Sequence, residues 1–181
     1  LWVGTIEGLQ YYDKRNDNFV STALNQPDYI VKQNQCNAIF QDRSGCLWFA
    51  SSGLGVLRFD PKTSESVLFS PSHTHPGQSL CSGHIRAIDE DADGNLWFGS
   101  QDNGLSVYNP VKKSFTNYSV ASGHLKSDVI FDLYKQKNGN MLISTIGVGV
   151  TVYDQKQKRF IAYPEAFSRG TARRTFCAIE D

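Results

Sequence analysis

Short apolar runs alternate along the whole chain with clusters of Gly, Asn, Asp and Pro, and no 3.6-residue period lasts long enough for an amphipathic helix. Four of the runs align: Leu1-Trp2-Val3-Gly4-Thr5, Leu47-Trp48-Phe49-Ala50-Ser51, Leu96-Trp97-Phe98-Gly99-Ser100 and Met141-Leu142-Ile143-Ser144-Thr145. Their starts are spaced by 46, 49 and 45 residues. Each is followed by a glycine (Gly8, Gly55, Gly104, Gly149) and a second run ending in Tyr12-Asp13, Phe59-Asp60, Tyr108-Asn109 or Tyr153-Asp154. A third run then opens at Phe19, Val67, Phe115 or Phe160. A further strand-like stretch precedes the later units, at 36–40, 85–89 and 130–134, and recurs at 176–180. The chain is therefore read as all-β, with strands punctuated by turn residues.

Four strands in a unit of this length make a β-propeller blade. The fold class is an antiparallel β-propeller with about four blades' worth of four-stranded repeats. The expected layout is strands two to four of one blade at 1–22, then blades at about 35–70, 84–118 and 129–163. The first strand of a next or closing blade falls at 175–181. Pairing that last strand with Leu1–Thr5 would close a four-bladed ring. A start inside a repeat, without Met, favours an arc of a larger propeller of the seven-bladed type. Stacked blades cover both sheet faces. Small residues at Gly4, Ala50, Gly99 and Ser144 would let sheets approach, and Trp2, Trp48 and Trp97 would fill the space between them. The turns holding Ser44-Gly45, Asp93-Gly94-Asn95 and Asn138-Gly139-Asn140 carry hairpin signals.

Composition narrows the classes. With 181 residues, 40% of them hydrophobic and 12% aromatic, the chain can form a packed core. Eighteen basic residues balance eighteen acidic ones, which leaves no electrostatic footprint for nucleic acid or an anionic membrane. No apolar stretch reaches the length of a membrane helix. Cys36, Cys46, Cys81 and Cys177 lack CxxC or zinc-like spacing and read as buried or half-buried thiols.

The unit running from Ile85 through Asp91-Ala-Asp-Gly-Asn to Leu96-Trp-Phe-Gly-Ser, with Asn103 to Pro110 and Phe115 to Tyr118, resembles the two-component regulator propeller repeat. The fourth repeat departs from it, with Met141-Leu142 in place of Leu-Trp, and the first has a shorter turn before Gly8. The resemblance implies the periplasmic sensor region of a hybrid two-component system of the Bacteroidetes type. Such a region belongs to an inner-membrane protein and acts as a homodimer with further blades, a membrane helix, a histidine kinase and a DNA-binding regulator elsewhere in the parent. Its ligand would be an oligosaccharide released from a glycan, and its output transcription of glycan-use genes. This part of the parent would be no enzyme. The alternative is a propeller lyase or glycoside-processing enzyme with a divergent repeat.

The chemistry-bearing residues are sparse. Asp89, Asp91 and Asp93 before Gly94 match the first half of an EF-hand loop. The twelfth position is Ser100, however, and no helices flank it, so a plain hairpin turn is the simpler reading. Gly147-Val148-Gly149 lacks the third glycine and the helix of a dinucleotide site. His73, His75, His84 and His124 fall in connections, and no catalytic constellation, metal site or cofactor site can be assembled. Propellers bind at the mouth of the central channel. The polar residues just before each first strand (Asn34 and Gln35, His84, Asp128, and Arg174) are therefore the expected contacts for an oligosaccharide or other small ligand.

Overall fold

The computed structural model describes residues 1–6, 8–21, 35–72 and 74–162. The strand expected at 175–181 lies outside them. Among the described residues, fifteen antiparallel strands form four sheets. The first, β1 (Trp2–Thr5), β2 (Gly8–Asp13) and β3 (Asn18–Ser21), has three strands. The next holds β4 (Cys36–Gln41), β5 (Leu47–Ser51), β6 (Val56–Asp60) and β7 (Glu65–Phe69). Then follow β8 (Ile85–Glu90), β9 (Leu96–Ser100), β10 (Leu105–Asn109) and β11 (Ser114–Tyr118). The last sheet is β12 (Ile130–Lys135), β13 (Met141–Thr145), β14 (Gly149–Asp154) and β15 (Arg159–Ala162). No helix among the described residues is long and apolar enough to cross a membrane.

In every sheet the strands follow chain order, so each blade is a plain meander. The starting strands gather: β4 packs against β1 and β8, and β8 against β12. The outermost strands β7, β11 and β15 make no extended contact with one another. The sheets therefore fan out from a common axis, as propeller blades do. Each pair of neighbours encloses its own core. Leu9, Phe49 and Leu57 sit between the first two sheets, beside Trp2. Trp48, Ile85, Phe98 and Tyr108 fill the next space, and Trp97, Ile130, Met141 and Tyr153 the one after. Trp48 and Trp97 are each 1% exposed. Burying a side chain of that area contributes on the order of 4 kcal/mol. The connections between blades take part too, since Leu80 and Leu125 plug the second and third cores.

Two local devices recur. A Ser or Thr closing each second strand donates its hydroxyl to the carbonyl of the glycine that opens the third. Thr5 reaches Gly8 at 2.9 Å, Ser51 reaches Gly55 at 3.1 Å, Ser100 reaches Gly104 at 2.8 Å and Thr145 reaches Gly149 at 2.8 Å. Gly104 has φ of +84°, and a Cβ there would lie 2.3 Å from the Tyr118 carbonyl oxygen, so glycine is required on both counts. The turn between first and second strands also differs from the two-residue loop that its dipeptide suggests. The Gly45 amide bonds to the Asp42 carbonyl and the Asp42 amide to the Cys46 carbonyl, with Gly45 at φ +91°. This is a three-residue loop with a glycine bulge, and a right-handed sheet twist accommodates it.

Neighbouring sheets come close at Gly99, where an added Cβ would lie 2.5 Å from Ile130 Cγ2 of the next blade. Gly99→Ala is expected to lower the unfolding free energy by about 1–3 kcal/mol in a denaturant melt. Gly77→Ala is the control, because a Cβ there meets nothing within 4 Å. Equal effects from the two would show that the sheets are not in the contact described.

Candidate binding site at the inner strands

The inner strands carry an irregularity that repeats. Pairing slips between Cys36 and Ala38, between Ile85 and Ala87, and between Ile130 and Asp132. Asn37, Arg86 and Phe131 are thus the extra residues of three bulges at one repeat position. A bulge takes a side chain out of the alternation and re-aims it. Each of the first two reaches the next blade. Asn37 Nδ2 donates to the Ile85 carbonyl at 2.8 Å, and the Arg86 guanidinium carbon stands 4.2 Å from the Phe131 ring centroid. Arg86 is half-buried, and among the described residues its N–H groups have no carboxylate partner. A guanidinium stacked on a ring keeps its edge donors available to a ligand oxygen.

The residues expected at the channel mouth lie just before these bulges, except Asn34 and Arg174, which are outside the described residues. Gln35 and His84 meet across Ser52: the Ser52 amide donates to the Gln35 carbonyl at 3.0 Å, and Ser52 bridges His84. Both side chains are exposed. Asp128 sits at the next joint. Its carbonyl accepts from the Gly104 amide at 2.9 Å, and its Oδ1 accepts from the Val120 amide at 2.7 Å, so its carboxylate already serves the loop. One bond is shared by three blades. The residue after each second strand donates to the residue before the first, as Ser52 to Gln35, Gln101 to His84 at 3.0 Å and Ile146 to Val129 at 3.2 Å. The backbone at the mouth is thereby fixed, and Gln35, His84 and Arg86 present their side chains from a rigid rim. Sequence reasoning missed Asn37, Arg86 and Phe131. The signal was a polar, a cationic and an aromatic residue at one repeat position between apolar strand starts.

The acidic turn triplet has separate duties. Asp91 Oδ2 accepts from Trp97 Nε1 at 3.0 Å and Asn95 Nδ2 at 2.9 Å, while its Oδ1 accepts the amides of Asp93 and Asn95. Asp42 does the same for Trp48 Nε1 at 2.7 Å and for Ser44 and Cys46. Asp89 Oδ2 accepts from the Lys135 amide at 2.6 Å, and Asp93 pairs with Lys158 at 2.6 Å. The three carboxylates serve three different partners. The turn also needs more than a glycine and a small polar neighbour, because it needs the carboxylate that holds the tryptophan. Gln136 and Leu142 replace both partners together in the last repeat, where Asn138 Oδ1 supports the turn by accepting the Asn140 amide. No three His, Cys, Asp or Glu among the described residues are placed to hold a metal. Cys36, Cys46 and Cys81 are free thiols, and burial pushes Cys36 up to about 11, which keeps it a protonated thiol at neutral pH.

Arg43 ties one acidic turn to the next. Its Nε lies 2.5 Å from Glu90 Oε1, its amide donates to Glu90 Oε2 at 2.9 Å, and its guanidinium reaches the carbonyls of Asp91 and Ala92. Burial would raise the Asp42 carboxyl, but its hydrogen bonds from Ser44, Trp48 and Cys46 prevail and hold it below the ordinary carboxylate range. Burial raises Asp89, with the nearby Asp132 charge adding to the effect.

A sequence model of the family described as two component regulator propeller matches residues 31–53 and 79–102. The two matched stretches are similar to the two-component regulator propeller repeat. Each matched stretch spans a first strand, its bulge, the acidic turn and the Leu-Trp strand. No curated protein matches the chain. Among solved structures, the propeller is similar to the extracellular domain of a hybrid two component system from B. thetaiotaomicron, with TM-score 0.74 and 19% identity over 95% of this chain. A second B. thetaiotaomicron extracellular domain, of a one component system, gives TM-score 0.70 and 19% identity over 89% of the chain. Virginiamycin B lyase from Staphylococcus aureus gives TM-score 0.64 and 11% identity over 90%. The chain spans 22%, 23% and 50% of those three structures' own lengths. At these identities the likeness establishes the propeller fold.

Removing the Asp91 carboxylate leaves the buried Trp97 N–H and two turn amides without acceptors. Asp91→Ala is expected to cost about 3 kcal/mol, read by denaturant melting. Asp42 gives a pH signature. Its folded value is depressed, so its contribution is complete above the unfolded value and is lost as pH falls through the folded one. Thermal stability is expected to fall from about pH 5 downward, with a shallower fall in Asp42→Asn. Parallel curves for the two proteins would remove Asp42 from this role.

Proposed function

We propose that the chain is a ligand-sensing, extracytoplasmic segment of a hybrid two-component sensor kinase, recognising an oligosaccharide derived from a glycan and controlling transcription of glycan-use genes. The observation that carries the reading is the double match to the regulator propeller repeat, at 31–53 and 79–102. The similar fold of two B. thetaiotaomicron extracellular domains supports a position outside the cytoplasm. In this reading the parent is a periplasmic, inner-membrane-anchored homodimer whose remaining blades and kinase complete the device. Binding at the rim made by Gln35, His84 and Arg86 would bias the arrangement of domains, because a ligand shifts an equilibrium only through unequal affinity for its two states. A polar rim with exposed donors beside an aromatic ring suits a sugar's hydroxyls and apolar face. The fold likeness to a lyase keeps the second reading, a propeller enzyme, open to direct assay.

Calorimetric titration of the chain with a panel of plant and host oligosaccharides tests both. Saturable binding to at least one, weakened about ten-fold or more by His84→Ala and by Arg86→Ala, with the sugar recovered unchanged, is the expected result. Absence of binding across the panel, or indifference to both substitutions, would overturn the sensor site. Conversion of the sugar during incubation would replace the sensor reading with the enzyme.

A further inference from the structure

A second recess lies away from the inner rim, between the outer parts of the second and third blades. It encloses about 410 Å³ and is bounded by Arg58, Phe69, Gln78, Tyr108, Lys113 and Phe115, among others. The rings pack on one another, with Tyr108 and Phe115 centroids 4.8 Å apart and Phe69 and Tyr108 5.0 Å apart, so the floor is fixed before any ligand arrives. Lys113 stands at the left-handed position of its turn, at φ +52°.

The repeat supplies an internal comparison. The third and fourth blades form a smaller groove of about 270 Å³ at the same place. There Val107 stands where Arg58 does, Tyr118 where Phe69 does, Tyr153 where Tyr108 does and Lys158 where Lys113 does. In that groove the lysine is neutralised by Asp93 at 2.6 Å, and Asp91 adds a further carboxylate to the lining. The smaller groove's lining also holds Lys112, so the larger groove differs in lacking a carboxylate and in having an arginine. Its lining holds two cations and no acidic residue. Lys113 has no ion-pair partner among the described residues. Arg58 donates to Cys46 Sγ at 2.8 Å, and its nearest carboxylate, Asp60, stands off at 3.8 Å. Two incompletely neutralised cations over an aromatic floor form a site for an anion that carries a flat apolar face.

We propose that this groove binds a carboxylate carried on a six-membered ring, with the ring against Tyr108, Phe115 and Phe69 and the carboxylate between Arg58 and Lys113. The shared chemistry has two sources, a uronic acid and an aromatic acid. The inference does not depend on what the inner rim recognises.

The test is an NMR titration of the full chain with D-glucuronate and with benzoate, each beside its neutral counterpart, D-glucose or benzyl alcohol. At least one anion is expected to shift the amides of Phe69, Tyr108 and Lys113 saturably, while its neutral counterpart leaves them unmoved. Arg58→Val, which installs the residue of the companion groove, and Lys113→Gln are each expected to weaken that binding about ten-fold. The anion that binds identifies the source. If Arg58→Val fails to fold, Lys113→Gln alone decides. Absence of shifts with both anions, equal shifts from a neutral counterpart, shifts confined to the rim around His84, or unchanged affinity in the folded variants would overturn the groove site.

Discussion

The space between two sheets has to be filled and then locked, and here one side chain fills it and one carboxylate locks it. An indole is large enough to bridge neighbouring blades but brings an N–H that must not be left dry. Asp42 and Asp91 accept that N–H and simultaneously gather the amides of the turn that precedes the tryptophan strand. One residue therefore couples hairpin geometry to inter-sheet packing. The last repeat supports this coupling from the opposite side, since the carboxylate and the indole disappear together and Leu142 needs no acceptor. The Arg43–Glu90 contact then joins successive turns, so the same acidic loops that hold the tryptophans also set how one blade meets the next.

From that constraint follows the character of the inner rim. With the acidic turns holding one end of each sheet, the Ser/Thr-to-Gly bonds holding the other, and the Ser52, Gln101 and Ile146 amides closing onto the lead-in residues, little freedom remains for the backbone at the axis. The bulges at Asn37, Arg86 and Phe131 exploit this rigidity by turning out side chains whose identity differs from blade to blade. A repeated frame with unrepeated side chains is what a recognition surface requires. The outer grooves show the same logic, with Val107 in one and Arg58 in the other, each paired with the tryptophan of its own second strand.

The fold was legible because its determinants are local and repeated. Leu-Trp, the small residue after it and the glycine at positive φ can be aligned within a single chain, and each has a steric reason to recur. The Asp–Trp bond was less so: Asp91 sat in a triplet resembling a metal loop, and only contact across six residues showed which of the three reaches the indole. The bulges were invisible to a reading by period, because a bulge breaks the alternation on which that reading rests. Of the five rim residues expected, Asn34 and Arg174 lie outside the described part. Gln35 and His84 expose their side chains, and Asp128 holds a loop, a role that depends on the Val120 amide folding back to it. The second groove could not be read from sequence, since it depends on Phe69 and Lys113 of different blades coming to line one recess.

Exchange of the tryptophan indole protons with solvent, followed by NMR, tests the central claim most directly. Trp48 and Trp97, buried and bonded to Asp42 and Asp91, should exchange slowest, at rates set by global unfolding. The half-buried Trp2, with no carboxylate partner among the described residues, should exchange much faster. Comparable rates for all three, or rapid exchange at Trp48 and Trp97 in the folded protein, would contradict the account, because the carboxylates would then not be locking the blades together.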